Sequence, residues 1–304
     1  MNELEGKRVL LTGATGFLGG KVLERLRRID AIIGCLIRKN RSTVLFPEAE
    51  RLEITDRATD IVETVCGFRP DVMIHCAGLV QTTHGPSDID AMLQSNIQLA
   101  VALLEAGRQL GELRIVNLGT YLEHDSSGTV APTSLYAASK RAVAELLNYY
   151  THAVPTRAIS IKPSLIYGAG DPRPRLLPSL AKAIVNGQTL ELSEGLQKLD
   201  LIHIDDVVEA IIQAATHLLS SESKTGHQEF FAISGTRFSL RDLARKLEYI
   251  AGGETDLRWG AHSYKAEEVM EPFSGGAPLP GWVPAVPLDQ GLAELVSQIG
   301  DKAG

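Results

Sequence analysis

The sequence predicts an α/β fold, a doubly wound parallel sheet followed by a smaller C-terminal part. Three observations predict it. Short apolar runs alternate with amphipathic segments through the first half of the chain, as βα units covering both faces of a parallel sheet require. A glycine-rich segment, "GATGFLG", joins the first apolar run to the first amphipathic one. The 304 residues, 44% hydrophobic and 22% charged, suffice for one large core or two smaller ones without staples.

In chain order, "KRVLLTG" reads as a strand, "FLGGKVLERLRR" as a helix, and "AIIGCLI", "DVMIHCA", "ELRIVNLG" and "TRAISIKP" as further strands. Each is a short apolar run, the signature of a strand buried on both faces. Residues 59–67, 88–110 and 135–153 have the length and pattern of helices. After Pro163 the regularity fades into "YGAGDPRPRLLP", and scattered short elements follow. The expected division is a nucleotide-binding domain at 1–165 and 196–234, with a substrate-binding domain at 166–195 and 235–304.

Several classes of function are excluded. Cys35, Cys66 and Cys76 are odd in number and widely spaced, with no Cys-x-x-Cys, and His75–Cys76 falls inside a strand pattern where neighbours face opposite ways. No metal site is expected. The opening "MNELEGKRVLLTG" is too polar for a signal peptide. No apolar run approaches the roughly 20 residues that cross a bilayer. A reduced, cytoplasmic protein is expected. A net charge of −7 offers no surface for a polyanion, so neither nucleic acid nor membrane is an expected partner.

Gly13, Gly16 and Gly19 stand between a strand and a helix, where glycine lets the backbone turn and a pyrophosphate meet the free N–H groups of the helix. This is a dinucleotide site. The second strand ends in "CLIRKNR", with Arg38, Lys39 and Arg41 and no acid. A basic residue there accommodates a ribose 2′-phosphate, which favours NADP(H) over NAD(H); a solvated charge run is the alternative. In "SLYAASK", Tyr136 and Lys140 are four apart and share a helix face. Spacing alone leaves this pair an ordinary helical turn.

Taken together, "TGATGFLG", "DVMIHCAG", "YAASK", "KPSLIYG", "LIHIDDVVEAI" and "PGWVPAVPLDQGL" resemble, in the same order, the extended short-chain dehydrogenase/reductase family of nucleotide-sugar epimerases, dehydratases and reductases. The resemblance spans nearly the whole chain. It implies a Rossmann-type domain carrying NADP(H), a smaller domain carrying a nucleotide sugar, an active site between them, and a homodimer built on helices 88–110 and 135–153. Cofactor contacts would come from Gly13, Thr15, Gly16, Phe17, Leu18, Gly19, Arg38, Lys39, Glu53, Ile54, Cys76, Ala77, Gly78, Asn96, Tyr136, Lys140, Pro163, Leu165 and Ile166. Substrate contacts would come from Val80, Thr120, Tyr121, His124, Ser164, Arg173, Arg175 and Lys198.

The same resemblance implies catalytic roles. Tyr136 would exchange a proton with the substrate oxygen while hydride moves to or from the nicotinamide. Lys140 would bind the nicotinamide ribose and lower the phenol's pKa from about 10 toward 7, which requires on the order of 4 kcal/mol. Thr120 would hydrogen-bond the reacting oxygen.

Departures from the family pattern narrow the chemistry. Dehydratases carry Asp-Glu directly after the Thr, to supply acid and base for elimination; Tyr121 and Leu122 stand there, and Glu123 comes one step late and would point elsewhere. His124 and Asp125 replace the usual Tyr-Gly, as a solvated turn or a substrate contact. Leu199 occupies the place of an Arg that contacts the substrate diphosphate, next to Asp200. Arg173, Arg175 or Lys182 would then supply the charge, unless they are simply solvated. "GTYLEHDSSGTVAPTSLYAASK" most resembles sugar 4-ketoreductases that act on CDP-linked sugars. The expected activity is NADPH-dependent reduction of a 4-keto-6-deoxy nucleotide sugar on CDP or dTDP. The alternatives are a C4 epimerase and a carbonyl reductase of a small non-sugar substrate.

Overall fold

A computed structural model describes residues 3–39, 47–265 and 267–301. Arg41, expected to assist at the 2′-phosphate, lies outside the described residues. The chain begins with β1 (Arg8–Thr12), α1 (Phe17–Arg27), β2 (Ile32–Arg38), β3 (Ala49–Ile54), α2 (Ala58–Phe68) and β4 (Val72–His75). Then come α3 (Ile89–Leu93), a π-helical turn (Gln94–Gln98), α4 (Leu99–Leu110), β5 (Leu113–Leu118), α5 (Leu135–Ala153), β6 (Thr156–Pro163) and β7 (Leu165–Tyr167). The last third holds α6 (Leu176–Val185), β8 (Leu190–Leu192), β9 (Lys198–His203), α7 (Ile204–Leu219), β10 (Gly226–Ala232), β11 (Arg237–Ser239), α8 (Leu240–Ala251), β12 (Leu257–Trp259) and α9 (Leu288–Asp301).

Seven parallel strands form the main sheet in the order β10-β6-β5-β4-β1-β2-β3. Alternate residues feed two separate cores, because successive side chains of a strand point to opposite faces. Val9, Leu11, Ile74 and Val116 pack on one face with α1 and α7. Leu10, Met73, Ile115 and Ala158 pack on the other with α2, α4 and α5. The chain reverses direction across the sheet between β1 and β4, so a crevice opens beyond their C-terminal ends.

Local chemistry sets the helix limits. Ser134 caps α5 by accepting the Ala137 N–H at 3.2 Å. Gly111, in the left-handed region, ends α4. The predicted helix 88–110 is interrupted by the π-helical turn, which swings the fully buried Asn96 inward.

A third core joins α6, α8 and α9 through Leu180, Leu243 and Leu292. Beside it β9 pairs with β7 and β11 in a three-stranded sheet, while β8 pairs with β12. The C-terminal stretch is tied back to α7: the Asp206 carboxylate accepts the Ala285 N–H at 2.8 Å, and the Trp282 indole donates to the Asp206 carbonyl at 2.9 Å. Among the described residues, no helix is long and apolar enough to cross a membrane, and no cluster of three or more His, Cys, Asp or Glu side chains is placed to hold a metal.

Candidate active site

The crevice is built by close backbone approach. Gly13 has φ +75°, and a Cβ there would lie 2.7 Å from the Ala77 nitrogen, so β1 and β4 meet only because no side chain intervenes. A Cβ on Gly19 would lie 2.0 Å from the Gly13 carbonyl oxygen, which lets α1 start directly against the loop. α1 has no side-chain cap and no acid in its first turn. Its leading N–H groups therefore lack intrahelical partners and suit an anion.

A cavity of about 280 Å³ continues from this point, and Gly13, Thr15, Gly16, Arg38, Ile54, Cys76, Ala77 and Gly78 line it. These are eight of the residues expected at the cofactor, and together they fit a dinucleotide. Glu53 is not brought there: strand alternation turns Ile54 inward and Glu53 outward, where it pairs with Arg51 at 2.8 Å. Lys39 is exposed and stands apart from the lining. Asp56, unassigned from sequence, lines the cavity instead and holds Arg38 Nε at 2.9 Å. Phe17 is half-buried beneath the Arg173 guanidinium, 5.3 Å from its ring centre. Leu18 is buried in the core. Pro163 ends β6 buried, and Leu165 and Ile166 on β7 are half-buried.

Thr120, Tyr136 and Lys140 come together, all three buried. The Thr120 hydroxyl is near enough to the Tyr136 phenol to help hold its pKa down, and it also accepts the Leu122 N–H at 3.3 Å. Lys140 sits under Gly78, where a Cβ would be 3.1 Å from its Nζ and 3.4 Å from Asn96 Oδ1. Asn96 clamps this corner by accepting the Leu79 N–H at 2.7 Å and donating to the Ser139 hydroxyl at 3.0 Å. Burial pushes the Lys140 pKa down to about 8, against the pull of Cys76 and Glu123. Tyr136 departs from the expected tuning. Burial first, and the Glu123 charge second, raise its pKa above the ordinary phenol value, while Arg175 and Arg173 pull it down. A dehydrated hydroxyl in the field of a carboxylate resists ionisation.

On the substrate side, the "DPRPR" loop brings two guanidiniums to Tyr136. Arg173 is forked onto Asp171 at 2.7 and 2.8 Å. Arg175 donates to the Val80 carbonyl at 3.1 Å, and burial together with Arg173 holds its pKa below the usual value. Lys198 points to the surface, paired with Glu271 at 2.8 Å, and Leu199 packs against the third core. Lys182 is exposed on α6. Ser164 donates to Asp200 at 2.6 Å, and Asp200 also accepts the Ser234 and Gly235 N–H groups, making it a loop clasp. Tyr121 is half-buried, its pKa pushed up to about 12 by burial and then by Asp200 and Glu268.

Two residues that sequence reasoning passed over stand behind the trio. Glu123 is fully buried, accepts the Thr120 N–H at 2.9 Å, and lies 3.0 Å from the Lys162 ammonium, itself fully buried. Glu123 thus points inward, and the signal was legible: Thr-x-x-Glu is a capping box. His124 is neither a solvated turn nor free for substrate. Its ring packs against Phe231 and Phe273, which also pack against each other. Its Nδ1 faces the Gly128 carbonyl at 3.1 Å and must carry the hydrogen, so Nε2 accepts from Lys162 at 3.0 Å.

Comparison with known proteins agrees with this geometry. The sequence profile of the NAD dependent epimerase/dehydratase family matches residues 9–226, more than half of the chain. The chain is 27% identical over 270 residues to CDP-abequose synthase of Yersinia pseudotuberculosis, with 87% of this chain and 91% of that protein covered. It is 25% identical over 327 residues to UDP-glucose 4-epimerase of Mycolicibacterium smegmatis, with 97% and 99% covered. A solved structure of Thermus thermophilus UDP-glucose 4-epimerase in complex with NAD shares the fold, with a TM-score of 0.80, 20% identity, and 96% of this chain and 98% of that one covered. The crevice, the buried trio of Thr120, Tyr136 and Lys140 and the profile converge: the chain belongs to the NAD dependent epimerase/dehydratase family, as an NAD(P)-dependent enzyme of the extended short-chain dehydrogenase/reductase type.

Proposed function

We propose that the protein reduces the 4-keto group of a nucleotide-linked 6-deoxy or dideoxy hexose, such as a CDP- or dTDP-4-keto sugar, with NADPH. The observation that carries this reading is the convergence on Tyr136 of the Thr120 hydroxyl and the Arg173 and Arg175 guanidiniums. A proton donor, a carbonyl-orienting hydroxyl and charge for a diphosphate then stand in one place. Relatives named CDP-abequose synthase and dTDP-4-dehydro-6-deoxyglucose reductase support it.

A bound NADPH supplies the hydride. Tyr136 Oη holds the proton that the new alcohol takes up, and the raised phenol pKa keeps that proton in place until the substrate oxygen becomes basic. The Thr120 hydroxyl orients and polarises the carbonyl. Lys140, at the cavity wall under Gly78, would hold the ribose. Arg38 would meet the 2′-phosphate, exchanging Asp56 for it. Arg173 and Arg175 would hold the sugar diphosphate that Leu199 cannot. We further propose a cytoplasmic homodimer, with cofactor on residues 1–165 and 196–234 and substrate on 166–195 and 235–304.

A C4 epimerase is the second reading. The Arg38–Asp56 pair at 2.9 Å favours it, since an acid at the adenosine ribose suits an unphosphorylated NAD. Incubation with NADPH or NADH and CDP-, dTDP-, GDP- and UDP-linked 4-keto sugars tests the two. Oxidation of NADPH with a 4-keto sugar is the expected result. C4 inversion of a UDP-hexose without net cofactor consumption would replace the reductase reading with the epimerase.

A further inference from the structure

Glu123 and Lys162 are both completely buried, which is costly unless the pair performs a task that an apolar pair would not. The packing around them is specific. One Glu123 oxygen accepts the main-chain N–H of Thr120 at 2.9 Å, and the other lies 3.0 Å from Lys162 Nζ. Gly119 admits the pair: a Cβ there would stand 2.8 Å from Glu123 Oε1 and 2.9 Å from Lys162 Cγ. Lys162 is held in turn by Glu229 at 2.8 Å and by His124 Nε2 at 3.0 Å, and Arg141 reaches Glu229 at 3.4 Å. The carboxylate thus has one oxygen hydrogen-bonded and the other ion-paired, and is held in one orientation.

We propose that Glu123, anchored on Lys162, is a positioning residue of the catalytic site: it locks the Thr120 main chain and sets a fixed negative charge next to the Tyr136 hydroxyl. The inference rests on the reading of Tyr136 as the site's acid. The charge favours the neutral phenol over the phenolate, the form from which a proton is donated. It therefore biases the site toward adding hydrogen to a carbonyl rather than removing it from an alcohol. The charged and titratable groups around Glu123 and Tyr136 are Lys140 and Arg141 from α5, Lys162 from β6, His124 from the turn after Glu123, and Arg173 and Arg175 from the loop before α6; Glu229 and His227 from β10 bear on Lys162, and Cys76 after β4 bears on Lys140. The Glu123 carboxylate is the anion that raises the Tyr136 pKa.

The test follows the ionisation of Tyr136 itself and needs no substrate. In protein labelled with ¹³Cζ-tyrosine, the Tyr136 resonance is identified by its loss in Tyr136→Phe and followed as pH rises through the folded range. Glu123→Gln should bring its titration down by about one pH unit or more, a tenfold change in ionisation constant. Glu123→Gln/Lys162→Met, which removes both buried charges, should move it the same way and stands in if the single variant does not fold. Glu229→Gln strips Lys162 of its other carboxylate and should leave the Tyr136 titration in place. The inference is overturned if, in both Glu123 variants, the Tyr136 resonance stays that of the neutral phenol up to the same pH as in the wild type, or if Glu229→Gln shifts it as far as Glu123→Gln does. A lowered Tyr136 titration in protein that turns over no nucleotide sugar would uphold the positioning role and count against the reductase reading alone.

Discussion

The Lys162 ammonium lies 3.0 Å from the Glu123 carboxylate, with both side chains sealed from solvent. Removing one partner from such a pair leaves the other charge uncompensated. Lys162→Met should therefore destabilise the protein by about 3–5 kcal/mol. The double variant Lys162→Met/Glu123→Gln should lose less than the single one. Urea denaturation of the four proteins of the cycle measures the coupling, and strictly additive losses would mean that the pair does not interact.

Tyr136→Phe keeps the ring in its buried site and deletes the hydroxyl that meets Thr120. Turnover of a 4-keto sugar should fall by roughly 10²–10⁴-fold, with NADPH binding nearly unchanged. Thr120→Val should lose mainly rate, and Lys140→Met both rate and cofactor affinity. Stopped-flow hydride transfer and cofactor titration separate the three; wild-type hydride transfer in folded Tyr136→Phe would remove the tyrosine from the chemistry.

Arg38 reaches the cavity but is occupied by Asp56. Arg38→Ala should weaken NADPH by roughly 1.5–3 kcal/mol, the worth of a charge-assisted hydrogen bond, and barely change NADH. Asp56→Asn should shift the preference further toward NADPH by freeing the guanidinium. Fluorescence titration with both cofactors reads this, and equal losses for the two in Arg38→Ala would show that no 2′-phosphate contact exists.

Two histidines, His75 fully buried and His227 half-buried, make stability depend on pH. Burial, with Lys140 adding to it, lowers the His75 pKa from 6.5 to about 3. Burial chiefly lowers that of His227 to about 4, with Lys162 and Arg141 assisting. Each is hydrogen-bonded to a hydroxyl through one ring nitrogen, His75 Nδ1 with Thr12 at 2.8 Å and His227 Nε2 with Ser160 at 2.8 Å. Below pH 6.5 the unfolded chain binds protons that the folded chain refuses. Their contribution is therefore complete above that value, and it is lost as pH falls toward 4 for His227 and 3 for His75. With both sites active the slope approaches about 2.7 kcal/mol per pH unit. Denaturation at several pH values should show it, and His227→Gln should halve it between about pH 6 and 5.

Tyr149 projects from α5 with 63% of its surface exposed, edge-on to Tyr150. If α4 and α5 build the homodimer, Tyr149→Glu should convert it to a monomer of 32.8 kDa while hydride transfer persists. Light scattering decides, and a wild-type monomer at micromolar concentration would dismiss the dimer.

Much of the fold was legible because its signals are local. The apolar runs around Leu10, Ile74, Ile115 and Ile159 form strands, and the helices expected at 59–67 and 135–153 appear at Ala58–Phe68 and Leu135–Ala153. β3 was not anticipated, since "AERLEI" carries three charged residues in six and no continuous apolar run. The strand-loop-helix setting of Gly13, Gly16 and Gly19 and the four-residue spacing of Tyr136 and Lys140 are likewise properties of short segments, so the crevice and the face of α5 follow from the chain itself.

Five of the seven sheet strands, the glycine loop and the shared face of Tyr136 and Lys140 are written in short stretches of the chain, because periodicity and backbone sterics act within a few residues. What those groups feel depends on contacts between distant segments. Folding turned Glu53 outward and brought Asp56 to Arg38. It packed His124 against a pair of phenylalanines, and it joined Glu123 to Lys162 and Glu229 on two neighbouring strands. The direction in which the Tyr136 pKa moves depends on burial and on a carboxylate held by a partner 39 residues away in sequence, since Lys162 follows Glu123 by that interval. Burial and through-space charge depend on distances that the chain acquires only when it is folded.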